Sequence, residues 1–414
     1  VANPSVNVNG NITKTAGTES TLTVKGKSRV TLGGGNTISS SSGALNTIFW
    51  SDYDNTKDDG GVSLRNVSTN GGHFWAGGTS TNGGSEIWNG LTVGDGASVG
   101  SNNYNYNAID IYGDISTAGG DIKVWAGSGY SNGIDGIGLN GARAFNSGAG
   151  DITLIADDVE GGVITVTSTG VFTFEPNSAG WSGFGGQLDL AGSVSAGTYT
   201  GTGDADWLIV NNVSGLTGLN LGKEGNTTSI RTYTPWQING PINFYANDIS
   251  INETIASTAS GAGILLKATG NISSAADTLF QTNNGALTFW SDANANGVGH
   301  ILLGNNNQLN TANGLTNQST LGGNITLSGG NDLLTGYAQS NTVHGISLGA
   351  TNTSTTEFYS GGGDIVIRGK TTTTAGPASY HGVVVQGSTI IDAGEGAINI
   401  TGESLDSYGV EFSL

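Results

Sequence analysis

The sequence predicts an all-β protein that folds as a parallel β-helix, or β-solenoid, and three observations lead to this prediction. Short stretches with apolar residues at alternate positions recur throughout the 414 residues. Related phrases return at long and unequal intervals, as expected when like strands stack on like strands. No window of helical length places apolar residues at positions i, i+3 and i+4. We therefore expect one elongated, rod-shaped solenoid that spans residues 1–414.

The predicted strands are short and rich in β-branched or aromatic residues, which favour extended backbone. They are TLTV (21–24), VTL (30–32), DIKVW (121–125), DITLI (151–155), VITV (163–166), VFTF (171–174), INFY (242–245), GILL (263–266), NITL (324–327), DIVI (364–367) and AINI (397–400). Residues 174–236 form the least regular segment, and we expect a bulge or a loop excursion there.

One phrase is written twice with different lengths. ALNTIFWSD at 44–52 returns as ALTFWSD at 286–292, two residues shorter. Side chains alternate between the two faces of a strand, so two extra residues leave Leu45 and Phe49 on the same face. The pair Leu287 and Phe289 has that same parity. The repetition predicts a strand that is kept under one burial constraint.

Two strand types recur in a fixed order. The phrase G-D-I-x-[VL] occurs at Asp121 and Asp151 and has relatives at Asn324, Asp364 and Ala397. A second phrase, x-Gly-apolar, interleaves with it and begins at Asp135, His344, His381 and Tyr408. At roughly 20 to 25 residues per coil the chain would form about 17 to 20 coils, stacked about 4.8 Å apart into a rod on the order of 85 to 95 Å long.

Ten Asn-Gly pairs lie between the strands, among them Asn70-Gly71, Asn132-Gly133, Asn284-Gly285 and Asn296-Gly297. Both residues tolerate positive φ, so each pair predicts a tight bend. Asn-Gly is also the strongest short-range signal for a hairpin, which would favour an antiparallel sandwich or barrel. The ordered return of strand types favours the corners of a solenoid instead.

Composition narrows the class of partner. The formal net charge is −19, with only 11% charged residues and no Cys. Such a charge repels phosphate backbones and anionic lipid headgroups, so nucleic acid is excluded as a partner. A chain without Cys has no disulfide framework, Cys-based metal site or thiol nucleophile. No apolar stretch approaches the roughly 18 residues of a membrane-spanning helix, so we expect none.

Several phrases resemble the repeats of filamentous-haemagglutinin-like bacterial surface proteins, the two-partner-secreted adhesins. They are GALTFWSDANANG, GNISSAADTLFQTNNG, GLNLGKEGNTTSI, INGPINFYANDISI, GGHFWAGGTSTNGGSEIWNGLTVGDG and GAGDITLIAD, and together they cover most of the chain. The resemblance implies a right-handed β-helix, export across the bacterial outer membrane, and a role in adhesion, biofilm or surface architecture. The secretion domain of that family carries Asn-Pro motifs, and here only Asn3-Pro4 corresponds to them.

The loops after the two FWSD strands are rich in oxygen ligands of the kind that Ca²⁺ prefers. The second loop matches the opening D-x-[DN]-x-[DN]-G of a calcium loop, although Leu303 stands where the bidentate Glu belongs. The candidate ligands are Asp52, Asp54, Asp58 and Asp59 in the first loop and Asp292, Asn294 and Asn296 in the second. Asp and Asn also cap turns by accepting hydrogen bonds from their own backbone, which is the alternative interpretation.

Adjacent aromatic residues place one ring on each face of a strand. If the second ring faces solvent, it can stack on the apolar face of a sugar, and the candidates for such a glycan platform are Trp50, Trp75, Trp125 and Trp290. The alternative is that each Trp packs over a corner of the coil.

Catalysis is a weaker hypothesis. His344 and His381 share their position in the repeat with Asp135 and Tyr408, which indicates an exposed corner, and no Ser-His-Asp set is evident. Many β-helix enzymes cut polysaccharides with paired carboxylates. The carboxylates available for that role are Asp204 and Asp206, or Asp110, Asp114 and Asp121, and few basic residues accompany them.

The sequence therefore predicts a non-enzymatic, extracellular structural or adhesive segment without a required cofactor. Its expected partners are glycans or matrix of a host or neighbouring cell, or copies of itself. A self-assembling filament subunit, stacked head to tail, is the first alternative, because an uncapped coil exposes unpaired backbone groups. A polysaccharide-acting enzyme is the second alternative.

Overall fold

The computed structural model describes residues 5–55, 60–100, 107–127, 136–161, 163–192, 207–351, 353, 355–372 and 380–413. The chain divides into two compact units, Val1–Leu216 (unit 1) and Thr217–Leu414 (unit 2). Throughout the described residues the regular structure is β-strand with two short 3₁₀ helices, Ser182–Phe184 and Val213–Gly215. Within this part of the chain, no helix has the length and apolar character needed to cross a bilayer.

Unit 1 is built from short strands that follow one another around a coil. In chain order they are β1 (Val6–Val8), β2 (Ile12–Lys14), β3 (Ser20–Lys25), β4 (Val30–Leu32), β5 (Ile38–Ser40), β6 (Leu45–Trp50), β7 (Val62–Leu64), β8 (Val67–Ser68), β9 (Phe74–Gly77), β10 (Ser85–Trp88), β11 (Leu91–Gly94), β12 (Ile109–Ile111), β13 (Ile115–Ser116), β14 (Ile122–Trp125), β15 (Ile137–Leu139), β16 (Arg143–Gly148), β17 (Ile152–Ile155), β18 (Val159–Glu160), β19 (Val163–Ser168), β20 (Val171–Glu175), β21 (Gln187–Ala191) and β22 (Trp207–Asn211).

These strands form three parallel sheets and one hairpin. Sheet 1a has the order β1-β4-β7-β12-β15-β18, sheet 1b the order β2-β5-β8-β13-β16-β19-β22-β21, and sheet 1c the order β3-β6-β9-β14-β17-β20. From β1 to β20, apart from β10 and β11, successive strands visit 1a, 1b and 1c in turn, so each of these coils contributes one strand to each sheet, and β21 and β22 both join 1b. Strands β10 and β11 pair antiparallel outside these sheets.

Unit 2 repeats the arrangement. Its strands are β23 (Gly218–Leu221), β24 (Ser229–Thr232), β25 (Trp236–Ile238), β26 (Ile242–Ala246), β27 (Ile249–Ile251), β28 (Ile255–Ser260), β29 (Ile264–Ala268), β30 (Ile272–Ser274), β31 (Leu279–Asn283), β32 (Leu287–Ser291), β33 (Ile301–Leu303), β34 (Gln308–Asn310), β35 (Ile325–Gly329), β36 (Ala338–Ser340), β37 (Ile346–Leu348), β38 (Glu357–Tyr359), β39 (Ile365–Thr371), β40 (Val383–Gln386), β41 (Ile390–Asp392), β42 (Ile398–Ser404) and β43 (Val410–Ser413).

Here too the sheets are parallel and each coil passes through three of them. Sheet 2c holds β23-β26-β29-β32-β35-β39, with β36 and β42 also paired to β39. Sheet 2a has the order β24-β27-β30-β33-β37-β40-β43, and sheet 2b the order β25-β28-β31-β34-β38-β41. Each unit is therefore a parallel β-solenoid with three strands per coil, which confirms the predicted all-β class and parallel β-helix architecture.

The interior of each unit consists of apolar columns, because strands in register place the same face of every coil inward. In sheet 1c, Val124, Leu154 and Phe174 stack on one another. In sheet 2c, Phe244, Leu266 and Phe289 do the same. The members of both columns are essentially inaccessible to solvent. Such a column forms only when neighbouring coils are present, since a single coil cannot enclose its own interior.

The FWSD phrase behaves as its parity predicts. Phe49 and Phe289 are both 0% exposed, so the two inserted residues in β6 leave the inward face unchanged. The Asp that ends each phrase, Asp52 or Asp292, has a φ of 48° in both copies. Ser291 donates its hydroxyl to the Gly299 carbonyl at 2.9 Å. The phrase is thus a buried strand followed by a left-handed bend.

A glycine column marks the corner before most of the c strands. A Cβ on Gly120 would lie 2.3 Å from the carbonyl oxygen of Gly72, and a Cβ on Gly150 would lie 2.3 Å from that of Gly120. Only glycine lets successive coils approach so closely at this corner. The same column recurs in unit 2 at Gly285, Gly323, Gly363 and Gly396.

The next residue at this corner, an Asp, Asn or His, joins one coil to the next. Asn46 Oδ1 accepts the backbone N–H of His73 at 2.9 Å, and His73 Nδ1 accepts that of Asp121 at 2.9 Å. Asp121 Oδ1 then accepts the N–H of Asp151, and Asp151 Oδ1 accepts that of Val171, both at 2.8 Å. The Asp of the G-D-I phrase is therefore part of a ladder of acceptors along one corner of the solenoid.

Three sequence expectations differ from the structure. Each coil holds three strand types, where the repeat phrases indicated two. Coil length varies more widely than the expected 20 to 25 residues, since 22 residues separate Ile242 from Ile264 but 47 separate Val62 from Ile109. The longer coil contains the β10–β11 hairpin, whose turn is Asn89-Gly90 with φ of 50° and 75°. One Asn-Gly pair is thus a hairpin turn, whereas Asn70-Gly71 bends a coil corner.

The irregular segment 174–236 contains both 3₁₀ helices and the boundary between the units. Asn132-Gly133 lies outside the described residues, as do Asp135, Asp204 and Asp206. That residues 1–414 form a single solenoid stays a prediction.

Candidate functional site

The outward faces of the c sheets carry rings and basic side chains that pack on each other. Lys25 Nζ lies 3.4 Å from the Trp50 ring centroid, and Lys267 Nζ lies 4.2 Å from that of Trp290. In both pairs the two residues are register neighbours on adjacent strands. A cation over an aromatic face is attracted by the ring quadrupole, so these pairs link neighbouring coils.

Trp50 and Trp75 do not face solvent. Their exposed fractions are 3% and 0%, because the β10–β11 hairpin folds over them and inserts Val93 between the hairpin and the sheet. The two indoles meet edge to face at 6.3 Å. A buried ring offers no face to a sugar, so the prediction of a glycan platform at Trp50 and Trp75 is wrong, and the packing alternative describes them.

Trp125 and Trp290 are half-buried and already engaged. The Trp125 indole N–H donates to Asn177 Oδ1 at 2.8 Å, and Lys123 Nζ lies 4.6 Å from its ring. The Trp290 indole N–H donates to the Gly330 carbonyl at 2.7 Å. Because the Lys267 ammonium covers one face of Trp290, this ring is poorly suited to serve as an open platform for a sugar.

Beside Trp290, sheet 2c forms a groove at the carboxyl ends of its strands. The connections after β26 and β29 are only two and three residues long, whereas those after β23 (residues 222–228) and β32 (residues 292–300) are longer. The two long loops stand on either side of the two short ones. Because four successive strands span three spacings of about 4.8 Å, the walls stand about 14 Å apart at the backbone. Unequal loop lengths on a regular scaffold thus create a cavity of ≈ 150 Å³.

The lining of this groove combines an aromatic ring, an ion pair and neutral polar groups. Tyr245 and Lys267 form its floor as register neighbours, with Glu224, Thr269 and Asn294 around them. Lys267 Nζ donates to Glu224 Oε1 at 2.6 Å. This hydrogen bond and the charge of Lys267 hold the pKa of Glu224 below its ordinary value. Glu224 is therefore ionised at neutral pH and accepts hydrogen bonds only.

Gly222 and Asn226 hold in place the loop of residues 222–228, which forms the side of the groove that carries Glu224. Gly222 has a φ of 76°, and a Cβ there would lie 2.0 Å from the Tyr245 carbonyl oxygen. The buried Asn226 donates its amide to the same oxygen at 2.9 Å. These contacts fix residues 222–228 against the end of β26, which brings the exposed Glu224 over Lys267.

Sequence reasoning named Trp290 and Asn294 in this region but missed Tyr245, Lys267 and Glu224. The parity of INFY was available, because an inward Phe244 requires an outward Tyr245. The pairing of Glu224 with Lys267 was not, since 43 residues separate them in the chain.

The second calcium-like loop is a self-capped turn. Both carboxylate oxygens of the buried Asp292 accept the Gly297 N–H, at 3.1 and 3.2 Å. Asn294 Oδ1 accepts the Asn296 N–H and Asn296 Oδ1 accepts the Val298 N–H. Burial raises the pKa of Asp292, and these backbone hydrogen bonds oppose the rise. The geometry matches the turn-capping alternative in every one of the three predicted ligands.

The first loop is described only in part. Asp52 is 1% exposed, and Asp54 Oδ2 lies 3.7 Å from Lys27 Nζ. Asp58 and Asp59 lie outside the described residues. Across the described ranges, no three His, Asp or Glu side chains converge as a metal-holding group. A calcium site at Asp52, Asp54, Asp58 and Asp59 stays a prediction.

The carboxylates considered for catalysis have structural partners. Asp110 pairs with Arg29 at 2.8 Å, and burial raises the pKa of Asp110 while Arg29 opposes the rise. Asp114 Oδ1 accepts the Ala144 N–H at 2.9 Å. Asp121 belongs to the acceptor ladder of unit 1.

The corner with the two histidines is largely buried, contrary to expectation. The rings of His344 and His381 stack at 5.2 Å, and His381 is 4% exposed. His344 Nδ1 accepts the His381 backbone N–H at 3.0 Å, as Asp and Asn do at other corners. Tyr408 continues the stack at 5.7 Å from His381 and is 66% exposed. At this position His344 provides both an acceptor and a stackable ring, and His381 and Tyr408 extend the stack.

These features define a class of protein, a parallel β-solenoid with three sheets per unit and a polar groove on one outer face. Comparison of the chain with protein-family models, with curated proteins and with solved structures finds no match in any of the three.

Proposed function

We propose that this chain is a non-enzymatic segment of an extracellular protein, at a bacterial surface or secreted, that serves adhesion or surface architecture. In this proposal it is a filamentous-haemagglutinin-like repeat protein, as the quoted phrases indicate. Its partners are glycans or matrix at a neighbouring surface, and the contact is made in the groove around Tyr245, Lys267 and Glu224.

The groove is the observation that carries the proposal. Small-molecule sites are concave and combine an apolar or aromatic surface with a few placed polar groups. Tyr245 supplies the ring, while Lys267, Glu224 and Asn294 supply donors and acceptors beside it. Sugars present apolar C–H faces and a rim of hydroxyls, which this combination fits.

The way the scaffold uses its polar residues supports a binding role over a catalytic one. Asp121, Asp151 and His73 bond backbone groups of the next coil, and Asp110 is held by Arg29. A residue that already holds the scaffold is poorly placed to transfer protons to a substrate. Asp121, Asp151 and His73 thus serve mainly to bond one coil to the next.

A glycan array with the purified chain tests this proposal. We expect binding to a subset of glycans, and loss of that binding in Lys267→Met. The matched control is Lys123→Met, which removes the corresponding ammonium from the cluster of Lys123, Glu86 and Trp125 in the other unit. Absence of binding to every glycan, or equal loss in both variants, would contradict the proposal.

Self-assembly by stacking is a second candidate, and the last coil of unit 2 favours it. Ile398 and Phe412 are 50% and 62% exposed, whereas their register partners Ile365 and Val385 are buried. A further coil, from the same chain or from another molecule, would cover them. Sedimentation velocity over a concentration series distinguishes the cases, because assembly between molecules depends on concentration and should weaken in Ile398→Lys. Concentration-independent behaviour would argue against a filament.

A further inference from the structure

We infer that the groove of unit 2 takes a single neutral pyranose residue of a glycan, rather than an acidic or sulfated sugar. This inference rests on the proposed function and specifies the class of ligand for the same site. It follows from the size of the groove, from the pairing of its charges and from the aromatic residue in its lining.

The size of the groove limits the ligand to one ring. Its ≈ 150 Å³ lies below the roughly 300 to 1,000 Å³ of pockets that enclose drug-sized molecules. The loops 222–228 and 292–300 close it along the direction in which coils stack. One sugar residue fits between the loops, and the rest of a chain would leave across the open side of the sheet.

The charges of the groove are paired before a ligand arrives. Lys267 is its cation, and its ammonium is bonded to the Glu224 carboxylate at 2.6 Å and lies over Trp290 at 4.2 Å. An acidic sugar would have to displace Glu224 from Lys267 and would meet an ionised, 73% exposed carboxylate at the rim. In a chain of formal charge −19 no wider positive field compensates for this repulsion.

A neutral sugar meets no such conflict. Vicinal hydroxyls both donate and accept, so one can donate to Glu224 while its neighbour accepts from Lys267, and the ion pair need not separate. Hydrogen bonds to charged groups are stronger than those between neutral ones, which offsets the loss of hydration. Asn294 at the rim supplies a further donor and acceptor.

Tyr245 is the ring on which the sugar stacks. It is half-buried and lines the groove directly, whereas Trp290 has its indole N–H bonded to Gly330 and one face occupied by Lys267. Tyr245 lies one strand away from Lys267, the donor of the ion pair. A pyranose on Tyr245 would therefore point its hydroxyl rim at Lys267 and Glu224.

The test uses the whole chain and simple probes in solution. Saturation-transfer NMR and titration calorimetry would be run with the methyl glycosides of glucose, galactose, mannose, N-acetylglucosamine and glucuronic acid. We expect at least one neutral glycoside to bind with a dissociation constant on the order of 1 mM, as suits so small a ligand, and the glucuronide to bind more weakly. Tyr245→Ala and Glu224→Gln should each weaken neutral binding about tenfold or more. Glu86→Gln, which breaks the corresponding pair with Lys123, should not change it.

The outcomes separate the two claims. A preference for the glucuronide that strengthens in Glu224→Gln would overturn the neutral-sugar inference and leave the glycan-binding proposal intact. Binding that none of the groove variants changes would place the glycan site elsewhere and also overturn the inference. No binding of any probe, together with a blank glycan array, would overturn both. Thermal midpoints of Tyr245→Ala and Glu224→Gln show whether a loss of binding reflects unfolding.

Discussion

The carboxylate of Asp121 accepts the backbone N–H of Asp151 at 2.8 Å, although 30 residues separate the two in sequence. Asp121 and Asp151 occupy the same place in successive coils, so the side chain of one residue accepts the backbone N–H of the equivalent residue in the next coil. The same contact joins Asp364 Oδ1 to Ala397 N at 2.8 Å in unit 2. The Asp that recurs in the repeat phrase therefore marks a position where a side chain forms a hydrogen bond to the next coil.

The first prediction concerns the hydrogen bond between the Asp364 side chain and the next coil. Asp364→Ala should lower the free energy of unfolding by about 1 kcal/mol, because the Ala397 N–H loses its acceptor. Asp364→Asn should keep most of the stability, since an amide oxygen accepts the same bond, as Asn324 does from Asp364. Urea unfolding of both variants measures the difference. Equal losses of stability in both variants would indicate that the charge of Asp364, and not its ability to accept a hydrogen bond, stabilises this corner.

The second prediction concerns the glycine column. Gly150→Ala should destabilise unit 1 by about 1–3 kcal/mol, because its Cβ would lie 2.3 Å from the Gly120 carbonyl oxygen and the backbone must shift. Gly10→Ala is the matched control, since a Cβ there meets nothing within 4 Å and its stability should hardly change. Thermal denaturation followed by circular dichroism compares them. Similar midpoints for both variants would contradict the role of close packing at this corner.

The third prediction concerns the interior column. Ile152 is 0% exposed and stacks between Ile122 and Phe172. Ile152→Ala should cost about 2–5 kcal/mol, and Ile152→Asp should cost more because it buries an unpaired carboxylate. Thr153, which follows it on the outward face, is the control, and Thr153→Ala should stay within about 0.5 kcal/mol. A melting midpoint of Ile152→Asp equal to that of the parent would disprove the interior assignment.

The fourth prediction concerns the hairpin over the buried indoles. Trp75→Ala should cost about 3–5 kcal/mol, because Trp75 packs against Trp50 and Val93 beneath β10–β11. Ile87→Ala, on the same hairpin but 71% exposed, should leave stability nearly unchanged. Hydrogen exchange would also show faster opening of residues 85–94 in Trp75→Ala. Unchanged exchange there would mean that the indoles do not hold the hairpin.

The fifth prediction concerns pH. Burial, with a smaller contribution from His381, lowers the pKa of His344 from 6.5 to about 4, and Glu411 opposes the shift. The unfolded chain therefore binds a proton near pH 6.5 that the folded chain takes up only near pH 4. The free energy of unfolding should fall as the pH is lowered between these values.

The control for this pH dependence is His344→Asn, which keeps an acceptor for the His381 N–H but does not titrate. Its unfolding free energy should vary less between pH 6.5 and 4 than that of the parent. Tyr380, Tyr408, His381 and Glu411 surround the site and are unchanged in this variant. Identical pH profiles would show that His344 does not couple folding to protonation.

Local pattern was sufficient to predict the strands and their inward faces. The alternation in DITLI predicts Ile152 and Leu154 inside, and both are buried. The parity of FWSD predicts the shared environment of Phe49 and Phe289. These predictions succeed because an inward face in a stacked coil depends mainly on the residue itself and its neighbours in the strand.

Loop function was harder to predict. Asn89-Gly90 and Asn70-Gly71 are the same dipeptide, yet the first turns a hairpin and the second bends a coil corner. The dipeptide sets only the positive φ, whereas the pairing of the flanking strands depends on residues far away in sequence. For the same reason the sequence left open whether Trp75 faces solvent or packs at a corner, since the hairpin that covers it begins ten residues later.

Sequence alone predicted the all-β class, the parallel repeat, the strand faces and the absence of cysteine chemistry. The class and the faces follow from a period of two along the chain, the parallel repeat from the ordered return of the strand phrases, and the absence of cysteine chemistry from composition. The folded chain was needed to show that Tyr245, Lys267 and Glu224 meet in one groove, because Glu224 and Lys267 are 43 residues apart and their distance depends on how coils of unequal length stack. It was also needed to show that Asp292 caps its own turn, because the same Asp and Asn residues could equally have bound a cation.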